Sequence, residues 1–119
     1  MDIAAAECAL ARQVAQQSGL ILDQTVLCGN GEVTEAPPMV RVRFVSGKLA
    51  EAELAEFVAE VRGIFAEPEE AHAFVAAVWG ALPGYGTCGF TELAAEGGIE
   101  FGERDGAFTA TGRIRACFA

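Results

Sequence analysis

From Asp2 to Ser18 the apolar residues Ile3, Ala6, Leu10 and Val14 recur at helical spacing. Asp2 suits the N-cap, Gly19 suits the position past the end, and Gln13, Gln16 and Gln17 fall on the wetter side. "LILDQTVLC", Leu20 to Cys28, then reads as a strand that turns at "GNGE". In "APPMVRVRFVSG" two prolines force an extended entry, and Val40, Val42 and Phe44 alternate with Arg41 and Arg43. That alternation predicts a half-buried strand with its arginines outward, ending at Gly47.

"LAEAELAEFVAEVRGIF" fits a second helix, with Leu54, Phe57, Val58, Val61 and Phe65 on one face and Glu53, Glu56 and Glu60 opposite. Pro68 suits the first position of a third helix, whose stripe is Ala71, Phe74, Val75, Val78 and Leu82. Pro83 and Gly84 stop it, and "GTCGFTEL" follows as a short strand. The closing stretch, Gly97 to Ala119, reads as a β-hairpin about an Asp105-Gly106 turn of type I′. Setting Arg104 opposite Ala107 pairs Phe101 with Ala110 and Ile99 with Gly112, while Glu100 and Thr111 share the other surface with Thr109, Arg113 and Arg115. Glu103 is the one misfit on the apolar side. The order predicts one α+β domain over residues 1–119, a mainly antiparallel sheet with helices packed on one face.

Composition sharpens this picture. The chain is 52% apolar and 21% charged, so it is globular, and its 17 acidic and 8 basic residues give a net charge of −9. Such a charge repels phosphate backbones and anionic membranes, which argues against direct nucleic-acid or membrane partners. Cys8, Cys28, Cys88 and Cys117 are widely separated and there is one histidine, which is poor metal-ligand spacing. With Glu7 and Arg12 interrupting the first apolar stretch, no signal peptide is read. The expectation is an intracellular protein with free, mostly buried thiols.

Little of this sequence suggests catalysis. "GYGTCG" matches G-x-G-x-x-G at Gly84, Gly86 and Gly89, but it follows a helix and enters a strand, the reverse of a dinucleotide fingerprint. His72 lies beside an apolar stripe with no nucleophile placed near it, and Cys88, in a glycine-rich loop, has no activating partner. Glu69 and Glu70 open a helix, where acids favour the dipole. Neither an enzyme nor a cofactor nor a metal site is expected. The arginines are more informative, because Arg41, Arg43, Arg113 and Arg115 all fall on outward sheet positions. The segment from Glu51 to Glu70 holds seven glutamates against Arg62 alone. Three uses are open: cross-strand pairs with Glu32, Glu35, Glu92 and Glu100; a head-to-tail contact between copies, basic sheet against acidic helix; or an acidic helical surface that blocks a basic partner.

In element order the chain resembles phage tail terminator (tail-completion) proteins. The resemblance rests on "VRVRFVSGKLAEAELAEFVAEVRGIF", a strand running into an amphipathic helix, and on "GGIEFGERDGAFTATGRIRACF", a closing hairpin, with an N-terminal helix before both. That family carries one more strand before its middle helix than this reading finds. The resemblance implies a non-enzymatic subunit of a hexameric ring that ends tail-tube growth and joins tail to head, in the host cytoplasm or the virion. Its partners would be copies of itself and other protein subunits, met through Arg41, Arg43, Arg113, Arg115, Glu53, Glu56 and Glu60. The alternative is a small acidic inhibitor of the anti-CRISPR or immunity type, acting through Glu51, Glu53, Glu56 and Glu60.

Overall fold

Helix α1 (Ile3–Ser18) begins and ends as its capping residues dictate. The Asp2 carboxylate accepts from the Ala5 N–H at 2.7 Å, and Gly19, in the left-handed region, returns its N–H to the Ala15 carbonyl. The computed structural model describes residues 2–22, 24–29, 36–84 and 89–118. After α1 come β1 (Val26–Cys28), β2 (Met39–Ala50), β3 (Glu53–Phe65), α2 (Pro68–Val78) with a 3₁₀ turn at Trp79–Ala81, β4 (Phe90–Arg104) and β5 (Ala107–Phe118). The strands form one sheet in the order β1-β2-β3-β5-β4, antiparallel throughout except for the short β1–β2 pair. The chain is thus an α+β fold on a mainly antiparallel sheet.

The largest departure from the sequence reading is β3. The expected second helix is a strand, hydrogen-bonded to β2 on one side and β5 on the other. Phe57, Ala59, Val61 and Gly63 are buried while Val58, Glu60 and Arg62 between them are half-buried, a period of two. The same letters also satisfy a helical stripe, and Ala, Leu and Glu favour helix. Pairing on both flanks overrides that preference. The turn joining β2 to β3 hides the hairpin further: Glu51 and Ala52 have φ of 55° and 67°, the left-handed pair of a tight turn, with no Gly or Asn to announce it.

Four smaller corrections follow from packing. β2 continues through Gly47, where a Cβ would stand 2.7 Å from Leu54 Cδ1 and 2.8 Å from Phe44 Cζ, so glycine serves close approach there and ends nothing. Of the strand expected from Leu20 to Cys28, Val26–Cys28 joins the sheet and Leu22 forms an isolated bridge to Val26; Asp23 and residues 30–32 of the turn lie outside the described residues. β4 absorbs the short strand expected before the hairpin and bends at a register shift between Glu96 and Glu100, where Gly97 takes a φ of 75°. Gln13 faces inward, 3% exposed. From the turn to Glu100 the hairpin register is as the alternation requires: Arg104 faces Ala107, Phe101 faces Ala110 and Glu100 faces Thr111, with positive φ at Asp105 and Gly106; the expected Ile99–Gly112 pair falls in the register shift and is not formed.

One cluster contains the buried residues of both helices and of one sheet face: Leu10 and Val14 of α1, Phe74 and Val78 of α2, and Val40, Val42, Phe57, Val61, Leu93 and Ile114 of the sheet. Two devices tie α1 to the β1–β2 side. The Glu7 carboxylate, buried, accepts from the Phe44 N–H at 2.8 Å where the β2–β3 register shifts. Cys8 is bonded to Cys28 of β1, across 20 residues of sequence with Cα atoms 5.5 Å apart. Two thiols expected to be free are therefore joined, because α1 lies along β1. Cys117 is free, and Cys88 lies outside the described residues.

At Gly112 the core leaves no room. A Cβ there would stand 2.7 Å from Cζ2 of Trp79 and 3.2 Å from Cγ1 of Ile99. Gly112→Ala is expected to destabilise by roughly 1–3 kcal/mol, read as a lower urea midpoint at unchanged slope. Gly98→Ala, whose added Cβ meets nothing within 4 Å, serves as the control and leaves the midpoint in place.

Candidate interaction surface

The register of β2, β3, β5 and β4 places every second residue on the sheet face opposite the core. On β2 these are Met39, Arg41, Arg43, Ser46 and Lys48; on β3, Glu56, Val58, Glu60, Arg62 and Ile64. On β5 they are Ala107, Thr109, Thr111, Arg113, Arg115 and Cys117; on β4, Glu92, Ala94, Glu96, Glu100, Gly102 and Arg104. Read across the four strands, one row runs Arg43, Glu60, Arg113, Glu96, alternating in sign. Opposite charges directly across a ladder stabilise it, by well under about 1 kcal/mol each where solvent screens them. Among the described residues Arg43 meets Glu60 directly across the ladder at 3.5 Å, and Arg115 reaches Glu56 diagonally at 3.7 Å. The side chains in these contacts stay between 26% and 44% exposed, so they order the face more than they hold the fold.

Arg41, Arg43, Arg113 and Arg115 therefore share one face, as expected, with β3 between their strands. The glutamates do not stand where the helix reading put them. Glu56 and Glu60 lie among the arginines, and Glu53 stands apart near the β2–β3 turn, opposite Ala50. The acidic helical side is absent because its segment is a strand, and both readings that used that side lose their surface. Glu92 and Glu100 do share the arginine face; Glu32 and Glu35 lie outside the described residues. The sequence reading missed Lys48, Arg62 and Glu96. Once Phe57 is counted as inward on a strand, parity alone puts Glu56, Glu60 and Arg62 on this face.

The charge is uneven in two ways. Among the described residues seven of the eight basic residues sit on this face with five acids, so the rest of the described chain has Arg12 alone against nine acids. Within the face, the charged residues of β2 are all cations, and those of β4 are Glu92, Glu96 and Glu100 with Arg104 at the strand's end. The one cation of β4, Arg104, stands at the far turn, 3.9 Å from Asp105. A positive flank and a negative flank thus bound one sheet. Among the described residues Arg41, Lys48 and Arg113 form no ion pair.

Other candidate groups are spread out. His72 is exposed on α2, its ring 4.9 Å from Phe101 in an edge contact, without a nucleophile beside it. Residues 85–88 of the glycine-rich stretch lie outside the described residues; Gly84 bridges to Leu93, and the segment leads into β4. Among the described residues no three metal-ligating side chains converge, and no helix is long and apolar enough to cross a membrane. A shallow depression of about 420 Å³ lies over the Gly97–Gly98 bend, between Glu60, Glu96, Glu100 and Arg113. No known protein family matches the sequence, and no curated protein matches it.

Cys117 reports on the electrostatics of this face. Burial pushes its thiol pKa up, and the Glu56 and Glu92 carboxylates push it further, against the opposing pull of Arg115 and Lys48. At mildly alkaline pH it therefore holds less thiolate than an ordinary cysteine and should alkylate more slowly. Glu56→Gln is expected to lower that pKa and speed the reaction, followed by mass spectrometry of the Cys117 peptide. An unchanged rate in the variant would remove the carboxylate from the explanation.

Proposed function

We propose that the protein is a non-enzymatic structural subunit of a virion, similar in role to phage tail terminators, that assembles head-to-tail with copies of itself into a ring. The observation that carries this reading is the opposite charge of the sheet's two flanks, cationic at β2 and anionic at β4. Unlike surfaces on one chain attract each other between copies, and a contact of that heterologous kind closes into a ring when its rotation permits. Of the two stretches that carry the resemblance, the closing hairpin has its expected form, while the expected strand-into-helix stretch is a hairpin of β2 and β3.

Two other observations fit the same reading. The Cys8–Cys28 bond suits a particle exposed to an oxidising medium, since disulfides persist on virion surfaces and are rare in the cytosol. The net charge of −9 directs the protein toward protein partners, its own copies and neighbouring subunits, and away from DNA or anionic lipid.

Sedimentation of the purified chain from low to high concentration, at two salt levels, tests the proposal. The expected result is a discrete higher oligomer whose dissociation constant rises with salt, as screened attraction requires. A monomer under every condition would count against it.

A further inference from the structure

The sheet has two edges that the chain leaves unfinished. β1 covers β2 only at residues 40–42, with the Gly29 N–H reaching the Val42 carbonyl at 2.9 Å. Residues 43–50 of β2 have no strand on their outer side among the described residues. At the other edge, Gly84 exchanges hydrogen bonds with Leu93 of β4 at 3.0 and 2.8 Å, which occupies the first part of that strand. Residues 95–104 of β4 have no outer neighbour among the described residues. Neither open stretch contains a proline, and apart from the Phe44 N–H, which the Glu7 carboxylate already takes, each offers a row of backbone donors and acceptors of the kind that another strand pairs with.

The two stretches have the same two-sided character with opposite charge. On the core-side face, β2 presents Leu49, 72% exposed, beside an apolar groove of about 690 Å³ lined by Ile3, Phe44 and Leu54. On that same face β4 presents Phe101, 53% exposed, in register with buried Ala110. On the outer face β2 carries Arg43 and Lys48, and β4 carries Glu96 and Glu100, with Arg104 at the end of the strand beside Asp105. The directions agree as well. β2, β3, β5 and β4 alternate in direction, so β4 runs opposite to β2. A second copy in the same orientation therefore brings its β2 antiparallel to this β4.

We propose that residues 43–50 of β2 in one copy pair antiparallel with residues 95–104 of β4 in the next, continuing the sheet from subunit to subunit. This rests on the self-assembly reading above and names the surface that carries it. The partner is a second copy of this chain, because the apolar side and the charged side of each edge are both matched by the other edge of the same chain. The open stretches lie at opposite ends of the sheet, so adjoining copies are displaced along the strands by about seven residues, roughly 23 Å at 3.3 Å per residue. Backbone pairing supplies the affinity, and the flanking side chains set which edge is chosen.

Sedimentation velocity on the full chain separates the outcomes, with Lys48→Glu, Glu100→Lys and the two substitutions combined, each first checked for an unaltered circular dichroism spectrum. Each single reversal is expected to raise the concentration needed for assembly roughly tenfold or more, and the combination is expected to restore it. Leu49→Asp, which leaves those two charges alone, is expected to weaken assembly as well. Single variants that assemble like the wild type, or a combined variant that does not recover, overturn the edge pairing while the self-assembly reading stands. A wild type that stays monomeric overturns both and leaves these edges to a strand from another protein.

Discussion

Everything in this molecule depends on β3 being held from both sides. It is the one strand that joins the β2 hairpin to the β4–β5 hairpin, so its register fixes which residues of four strands share a face. Inward it contributes Phe57, Ala59, Val61 and Gly63, and the small residues among them leave room for the aromatics of α2. Phe65 at its end meets Phe74 with ring centroids 5.3 Å apart, and Phe57 stacks on Phe44 and Phe118. Outward, the same strand inserts Glu56 and Glu60 between the arginines of β2 and β5. One parity therefore sets the core and the charged face together, and a slip of one residue would exchange them.

The parts of the sequence that could be read were those with a local signature. Asp2 and Gly19 delimit α1, Pro68 opens α2, and Asp105-Gly106 fixes the final hairpin with its register. The Arg41 and Arg43 alternation fixed the outward side of β2. What stayed hidden had its cause elsewhere in the chain. The segment from Leu54 to Phe65 satisfies a helical and a strand period at once, and only its two neighbouring strands decide between them. The β2–β3 turn gives no warning because Glu51 and Ala52 take left-handed conformations usually left to Gly and Asn. The candidate surface suffered from the same ambiguity: its arginines were legible, while its glutamates changed from an opposing element to interleaved neighbours. The Cys8–Cys28 bond was out of reach for a related reason, since it depends on α1 lying along β1.

Charge has two scales in this protein. Between neighbouring side chains, as with Arg43 and Glu60 or Arg115 and Glu56, the contacts are solvent-washed and contribute little to stability. Over the whole sheet the same residues produce a gradient from β2 to β4, on a body whose remaining surface is strongly acidic. Such a field acts on approach and orientation more than on final affinity. A weak stability role and a strong steering role are therefore compatible in one set of side chains, and Glu56 illustrates both by pairing with Arg115 and raising the Cys117 thiol pKa.

The tryptophan ring seated over Gly112 has a consequence for how this sequence can change over generations. Trp79 and Ile99 already occupy the space that any side chain at position 112 would need. Enlargement at 112 is therefore viable only after the indole has been traded for something smaller, and the reverse order leaves a void in the core first. Positions 79, 99 and 112 come from a helical turn and two different strands, yet they can drift only as a set. Any distant relative that keeps this fold should carry that correlation in its sequence, even where the cysteines and the surface charges have been replaced.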